Sequence, residues 1–377
     1  MTLSACISAA TAIQGSVDTE VRLFDRSAGQ ENQGPVGLSW ALQGQWRQNR
    51  DDDKTLEFLL SPYLRFDAVD SASRYLDLRE ARADLRIADN LFRLGFDVVR
   101  WGAVESNQLV DVVNQLDLRA DVDGKAKLGQ PMVAYSRFFG SVGRLDLMWL
   151  PLFRPRPFAG SSNRLSGGLT RASDVPDHGL GRFLRDDGAA MRWSGQAAGA
   201  DWGLSHYRGL SREPSFALGR APVYRSIRQT GLDLQWPIGK MLWKMEVMHR
   251  RGQGRPFIAW IGGGEYTIGQ PEFDLGLLLE VTRDGRDATA PPTRFADGWF
   301  FGVRIGVADA GSSEMLWGVL RDRQGASWAH KLEVSRRFGD HWRLSVVGRK
   351  VVSNDPSGPY AVLERESHVQ ATLKYSF

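Results

Sequence analysis

The last ten residues of the chain, His368 to Phe377, alternate without a break. Val369, Ala371, Leu373, Tyr375 and Phe377 are apolar or aromatic; His368, Gln370, Thr372, Lys374 and Ser376 are polar. A strand with one face in oil and the other in water needs this two-residue period. About ten residues tilted by about 45° cross a bilayer. A half-buried soluble strand alternates too, so the weight of the pattern lies in how often it recurs.

It recurs throughout. Leu38, Trp40, Leu42 and Trp46 alternate with Ser39, Ala41, Gln43 and Gln45; Phe92, Leu94, Phe96 and Val98 alternate with Arg93, Gly95 and Asp97. Met241, Trp243, Met245 and Val247, then Leu275, Leu277, Leu279 and Val281, then Trp299, Phe301, Val303, Ile305 and Val307, repeat it, as do Trp342, Leu344 and Val346. About 18 such segments can be counted. Their links sort by parity. Short ones such as Ala88–Asn90, Ala198–Ala200, Pro237–Gly239 and Gly339–His341 alternate with longer ones near 25–36, 100–130, 151–187, 212–223, 284–296 and 353–364. Short turns at one end and long loops at the other mark a transmembrane barrel, with both termini on the short-turn side. A soluble sandwich has no reason to sort its links this way.

The expected fold is therefore all-β: a transmembrane antiparallel up-and-down β-barrel of about 16–18 strands over residues 13–377. The uncertainty in count lies in 55–66, 73–87 and 131–138. Between Leu76 and Ile87 the apolar phase switches, which predicts a β-bulge. No run of 18 apolar residues exists, so a transmembrane helix is excluded. A mean hydropathy of −0.32 suits a barrel, where only alternate residues meet lipid.

The net charge is +4, and 40 of the 48 basic residues are Arg. So mild a surplus does not argue for nucleic acid. The one cysteine, Cys6, permits no internal disulfide. It lies in Leu3-Ser4-Ala5-Cys6, ahead of an A-x-A segment, Ala10-Thr11-Ala12. Residues 1–12 read as the remnant of an export signal or a disordered N-terminus, the A-x-A form being preferred to lipidation.

Two loops differ in kind. In 104–118, Val104, Leu109, Val110, Val112, Val113 and Leu116 are interleaved with polar residues. Apolar residues in a loop need burial, so this segment is expected to form a short helix or compact fold and to turn inward, narrowing the lumen; a helix capping the rim is the alternative. Glu105, Asn107, Asp111, Asn114, Asp117 and Arg119 would then stand at the constriction. The Pro-, Arg-, Ser- and Gly-rich segment 151–187 reads as a mobile external loop.

Phe96-Asp97-Val98-Val99-Arg100-Trp101-Gly102 followed by Val112-Val113-Asn114-Gln115-Leu116-Asp117-Leu118-Arg119 resembles a phrase of uncharacterised Gram-negative porin-like barrels, with Gln115 where those chains carry Pro. Asp201-Trp202-Gly203-Leu204, Gly263-Gly264-Glu265-Tyr266 and Asp284-Gly285-Arg286 resemble the same group. Phe377 resembles the terminal aromatic by which Gram-negative bacteria recognise outer-membrane barrels. The resemblance implies an outer-membrane location, contact with outer-membrane lipids and lipopolysaccharide, and assembly through Phe377. It carries no substrate residue.

If the apolar face meets lipid, then Arg93, Lys244, Glu246, Arg250, Glu280, Arg304, Lys331, Glu333, Arg343 and Arg349 line the lumen. Such charges order water and favour polar solutes, and Arg can hold carboxylates or phosphates. They can equally pair with one another, as the same-face neighbours Lys244/Glu246 and Lys331/Glu333 suggest. Catalysis finds no footing. Ser205 and His206 are adjacent and so point to opposite faces. No G-x-S-x-G motif or zinc spacing occurs, and Gly262-Gly263-Gly264 lacks a P-loop lysine. No metal or cofactor is expected. The function expected is a porin-like channel for diffusion of small polar solutes through a charged lumen, with anionic solutes weakly favoured. An accessory barrel in lipid or polysaccharide export, and a plugged structural barrel, are the alternatives. A flat apolar wall also leaves a homo-oligomer open.

Overall fold

A computed structural model describes all residues except 1–8, 26–32, 51–54, 122, 167–186, 217–221, 292, 294–296, 324–326 and 355–360. It holds 18 strands. They are β1 (Ala9–Phe24), β2 (Val36–Arg50), β3 (Thr55–Asp67), β4 (Tyr75–Ile87), β5 (Asn90–Asp97), β6 (Gln130–Phe138), β7 (Arg144–Leu150), β8 (Gly188–Ala197) and β9 (Ala200–Leu210). The second half comprises β10 (Ser226–Ile238), β11 (Met241–Arg251), β12 (Phe257–Gly269), β13 (Phe273–Asp284), β14 (Asp297–Val307), β15 (Glu314–Asp322), β16 (Trp328–Phe338), β17 (Trp342–Val352) and β18 (His368–Ser376). Each strand pairs with the next in sequence, and β1 pairs antiparallel with β18, from Ser16 opposite Ser376 to Phe24 opposite His368. The sheet is thus a closed up-and-down barrel with no free edge. Of the expected N-terminal segment, residues 1–8 lie outside the described residues, and Ala9–Ala12 form the first turn-side residues of β1.

The alternation sorts the side chains. Ile13, Leu76, Leu94 and Leu279 are exposed on the outer wall, while Ser39, Ser136, Asp146, Asp233 and Glu280 are buried on the inner one. So much exposed apolar surface makes sense only against lipid. Aromatic residues gather at both ends of the strands. Trp236 stands opposite Trp243 and Trp342 opposite Tyr375 at the short-turn end; Trp40 stands opposite Phe66 at the other. Phe377 continues β1–β18 pairing, exchanging backbone hydrogen bonds of 2.9 Å with Gly15, and its ring lies over that glycine.

The phase switch in β4 is a bulge. Ser61 pairs with Glu80 but Pro62 pairs with Leu78, leaving Arg79 outside the register. Pro62 cannot donate to the ladder, which favours the irregularity there. The extra residue turns Arg79 inward, over the Tyr63 ring at 4.3 Å.

Candidate functional site

The segment between β5 and β6, residues 98–129, folds into the barrel. Among its described residues it contains no helix; its order comes from side-chain staples. Asn114 accepts from the Val99 N–H at 2.8 Å and donates to the carbonyls of Asp97 and Leu128 at 2.8 and 2.9 Å, tying both ends of the loop together. Lys127 donates to the Val99 carbonyl at 3.0 Å and pairs with Asp111. Burial pushes the Asp111 carboxyl up and the Lys127 ammonium down, each toward its neutral form, against the attraction between them.

The loop's apolar residues find apolar wall. Trp101, Val110, Val112 and Val113 pack against Met132, Leu150, Tyr207 and Ile227, and Val104 and Leu109 against Met248, Phe257 and Ile261. These wall residues point inward, so the lumen face beneath the loop is oily, where alternation alone leads one to expect polar residues throughout. The fit is close. A Cβ on Gly231 would stand 2.8 Å from Cγ1 of Val110.

Two wall carboxylates hold the loop's backbone. Glu246 Oε1 accepts from the N–H groups of Ala103 and Val104 at 2.8 and 3.2 Å, and Oε2 from those of Leu109 and Val110 at 2.7 and 3.2 Å. Glu280 accepts from Glu105 and Ser106 at 2.8 and 2.9 Å. Convergent N–H groups of this kind make a small anion-binding nest, here filled by the protein's own carboxylates. Glu246 is therefore not paired with Lys244, which instead lies 3.6 Å from Glu265. Arg250 donates to Gln229 at 2.9 Å, which donates to the Leu109 carbonyl at 3.0 Å, and pairs with Glu213 at 2.6 Å. Partial burial opposes ionisation of Glu213, but Arg250 and Arg286 outweigh it and hold that carboxyl down at about 2.

Further along the loop, Asp117 accepts from Tyr75 at 2.7 Å, Arg79 at 2.8 Å and Arg119 at 3.1 Å. The Arg119 guanidinium lies 3.5 Å over the Tyr75 ring. Burial raises the Asp117 carboxyl, but Arg119 and Arg79 more than offset it and hold it below the usual range. Asp123 pairs with Arg349 at 2.8 Å and with Lys331, Asp121 with Arg349 at 3.2 Å, and Lys125 with Glu333 at 3.0 Å. Lys331 and Glu333 also pair directly at 2.7 Å. Glu105 pairs with Arg304 at 2.8 Å, and Arg304 with Glu265 at 3.2 Å. Asn107 stands half-buried beside the exposed Gln108. Arg93 bridges Asp84 at 2.6 Å and Asp97, and Arg343 donates to Ser335 at 3.0 Å.

The inner charges thus fall into two groups. Glu246, Arg250 and Glu280 are buried beneath the loop. Arg304, Lys331 and Glu333 keep 42%, 28% and 27% of their side chains exposed, and with Arg343 they occupy the wall of β14–β17, away from the loop's oily contact. At the short-turn end Arg337, Arg343 and Lys374 stand side by side in register. Residues 151–166, read as part of a mobile loop, fold back over the mouth. Gly160 donates to Asp70 at 2.8 Å, Arg154 pairs with Asp77 at 2.8 Å, and Phe158 is buried. The remainder of that loop, 167–186, lies outside the described residues. Ser205 is buried and His206 exposed, on opposite faces of β9.

No protein-family model matches the chain and no curated protein matches it. Solved structures do. It is similar to Pseudomonas aeruginosa OccK11 (OpdR), with a TM-score of 0.56 and 12% identity over 97% of this chain and 96% of that one. It is similar to a BenF-like porin from Pseudomonas fluorescens Pf-5, with a TM-score of 0.57 and 9% identity over 98% of each chain. P. aeruginosa OpdL gives 0.57 and 11% over 97% and 98%. Whole-chain agreement at such low identity is agreement in fold, and together with the closed wall it gives this chain a porin-like fold, an antiparallel β-barrel of 18 strands.

Proposed function

We propose that the barrel is a channel for small polar solutes, with a preference for anions, and that residues 98–129 narrow it. The observation that carries this reading is the division of the inner wall. One side is sealed by the loop through Glu246, Glu280 and an apolar contact. The other meets the loop only through ion pairs of Glu105, Asp123 and Lys125, leaves Arg304, Lys331 and Glu333 partly exposed, and carries below them the row Arg337, Arg343 and Lys374. A polar wall suits hydrated solutes, and a surplus of arginine at the short-turn end favours negative ones. An exporter of apolar cargo would need its oily inner surface free, whereas here Val110, Val113 and Leu109 cover it. On this reading Glu105 and Asn107 set the narrowest passage with Arg304. Asp111, Asn114, Asp117 and Arg119 act as staples that keep the passage in shape. Phe377, with its ring exposed, would present the terminal strand to the barrel-assembly machinery.

The test is single-channel conductance of the purified protein in a planar bilayer, with the reversal potential read under a salt gradient. Stable currents with an anion-selective reversal potential support the reading. A barrel folded by heat-modifiable gel mobility yet passing no current would overturn it in favour of a plugged barrel.

A further inference from the structure

On the outer wall near the loop end, three arginines stand side by side. Arg208 of β9 is the register partner of Arg228 of β10, which is the partner of Arg251 of β11. All three are exposed. Arg208 lies two residues from the end of β9, Arg228 two from the start of β10, and Arg251 ends β11. The row directly beneath holds His206, Thr230 and His249. Like charges directly opposite one another repel, yet among the described residues none of the three arginines has an ion-pair partner. Asp187, just before β8, accepts from the Trp149 indole at 3.2 Å. Other basic residues of the outer wall are neutralised or stacked: Arg283 on Asp297 at 3.3 Å, Lys350 on Asp25, and Arg321 over the Trp328 ring at 4.8 Å.

The same two rows continue as an apolar groove. Arg208 is partnered by Ala189, then Trp149, Val133 and Leu94; His206 is partnered by Met191, then Leu147. These residues line a groove of about 790 Å³ that ends on His206 and Arg208. Register rows are inclined in a barrel of tilted strands. Leu94 lies four residues from the start of β5 and Arg208 eight from the start of β9. The groove therefore descends toward the short-turn end by about 13 Å along the strands.

We infer that this face binds one molecule of a phosphorylated, acylated glycolipid of the outer leaflet, the lipid A part of lipopolysaccharide. Its phosphates would sit on Arg208, Arg228 and Arg251, and an acyl chain in the groove past Ala189. Guanidinium groups hold phosphate bidentately, and small Ala189 between Trp149 and Arg208 leaves the space for the chain. The site rests on the outer-membrane placement of the barrel and not on solute passage.

The test is native mass spectrometry of the full-length folded barrel in detergent, with bis-phosphorylated lipid A, dephosphorylated lipid A and inorganic phosphate as probes. One lipid A is retained by the natural protein. The triple variant Arg208→Gln, Arg228→Gln, Arg251→Gln loses it by about tenfold or more, as does Ala189→Trp, which fills the groove without altering charge. Arg321→Gln keeps it. Equal retention of phosphorylated and dephosphorylated lipid by the natural protein would overturn the inference, and that comparison needs no variant to fold. So would displacement of the lipid by equimolar inorganic phosphate, which would mark a bare anion site. Single-channel current is unchanged by the triple variant, so loss of lipid and loss of conduction are separable results.

Discussion

Gly102 and Glu246 are fitted to each other. Gly102 holds φ at +112°, and a Cβ there would stand 2.5 Å from Oε1 of Glu246. That approach lets the carboxylate gather four backbone N–H groups of the loop at once. Gly102→Ala therefore both strains the backbone and pushes Glu246 away. Glu246→Gln keeps one acceptor oxygen but aims an NH₂ at two N–H donors. With each charge-assisted bond worth about 1.5–3 kcal/mol, either change loosens the loop by roughly 3–5 kcal/mol. The barrel stays folded by gel mobility, protease reaches residues 98–129, and the single-channel current rises and becomes noisy. Natural protease resistance together with natural current in both variants would show that this carboxylate does not govern the loop.

Gly231 supports the loop from the wall. Its position leaves Val110 Cγ1 and Ser205 Oγ 2.8 and 2.9 Å from where a Cβ would be. Gly231→Leu overpacks this contact at a cost of about 1–3 kcal/mol. Displacement of Val110 should be visible as faster amide exchange at residues 109–113. Exchange unchanged from the natural protein would mean that the loop does not rest on this spot.

The outer wall was legible in the sequence because lipid asks only for apolarity at every second residue. Strand after strand satisfied it, and the break at Arg79 showed as a phase change that the register makes a bulge. The inner wall was less legible because its demands are set by a loop distant in sequence. Glu246 and Glu280 carry the period of lumen residues, and nothing local says that their oxygens will meet the backbone of residues 103–110. Met248 and Ile261 break no pattern strongly enough to announce an oily patch. The signal available was the reverse one. Val110, Val112 and Val113 cannot remain in water, so some inward stretch of wall had to be apolar to receive them. Lys244 and Glu246, neighbours on one face, part because Glu246 is taken by the loop and Lys244 reaches diagonally across the β11–β12 pair to Glu265.

Arg304 and Glu105 give a reciprocal test of selectivity. Arg304 lies between Glu105 at 2.8 Å and Glu265 at 3.2 Å, with much of its side chain exposed. Arg304→Gln leaves Glu105 without its counter-ion and Glu265 with Lys244 alone, and shifts the reversal potential toward cations. Glu105→Gln leaves the guanidinium in excess and shifts it toward anions, while the Glu105 backbone N–H keeps its bond to Glu280. Shifts of the same sign in both variants, or none, would place the passage elsewhere.

Acid should release the Asp117 staple only after Asp111, whose carboxyl burial pushes up, has taken its proton. Asp117 is fully buried, and Arg119, Arg79 and the Tyr75 hydroxyl hold its carboxyl below its ordinary value near 3.8. A carboxyl depressed in the folded state contributes stability that is fully present above its unfolded value and lost as pH falls through the folded one. The Asp117 contribution to channel noise should therefore be absent from neutral pH to about pH 5 and appear only below about pH 4, where Asp117 takes up its proton and its two arginines lose their shared counter-ion. Asp117→Asn removes the titrating group while keeping its shape. It should be noisy already at neutral pH and show no further step below about pH 4. An Asp117→Asn channel that keeps the natural acid midpoint would assign the transition to other carboxylates, with Asp123, held low by Arg349 and Lys331 against its burial, as the next to replace.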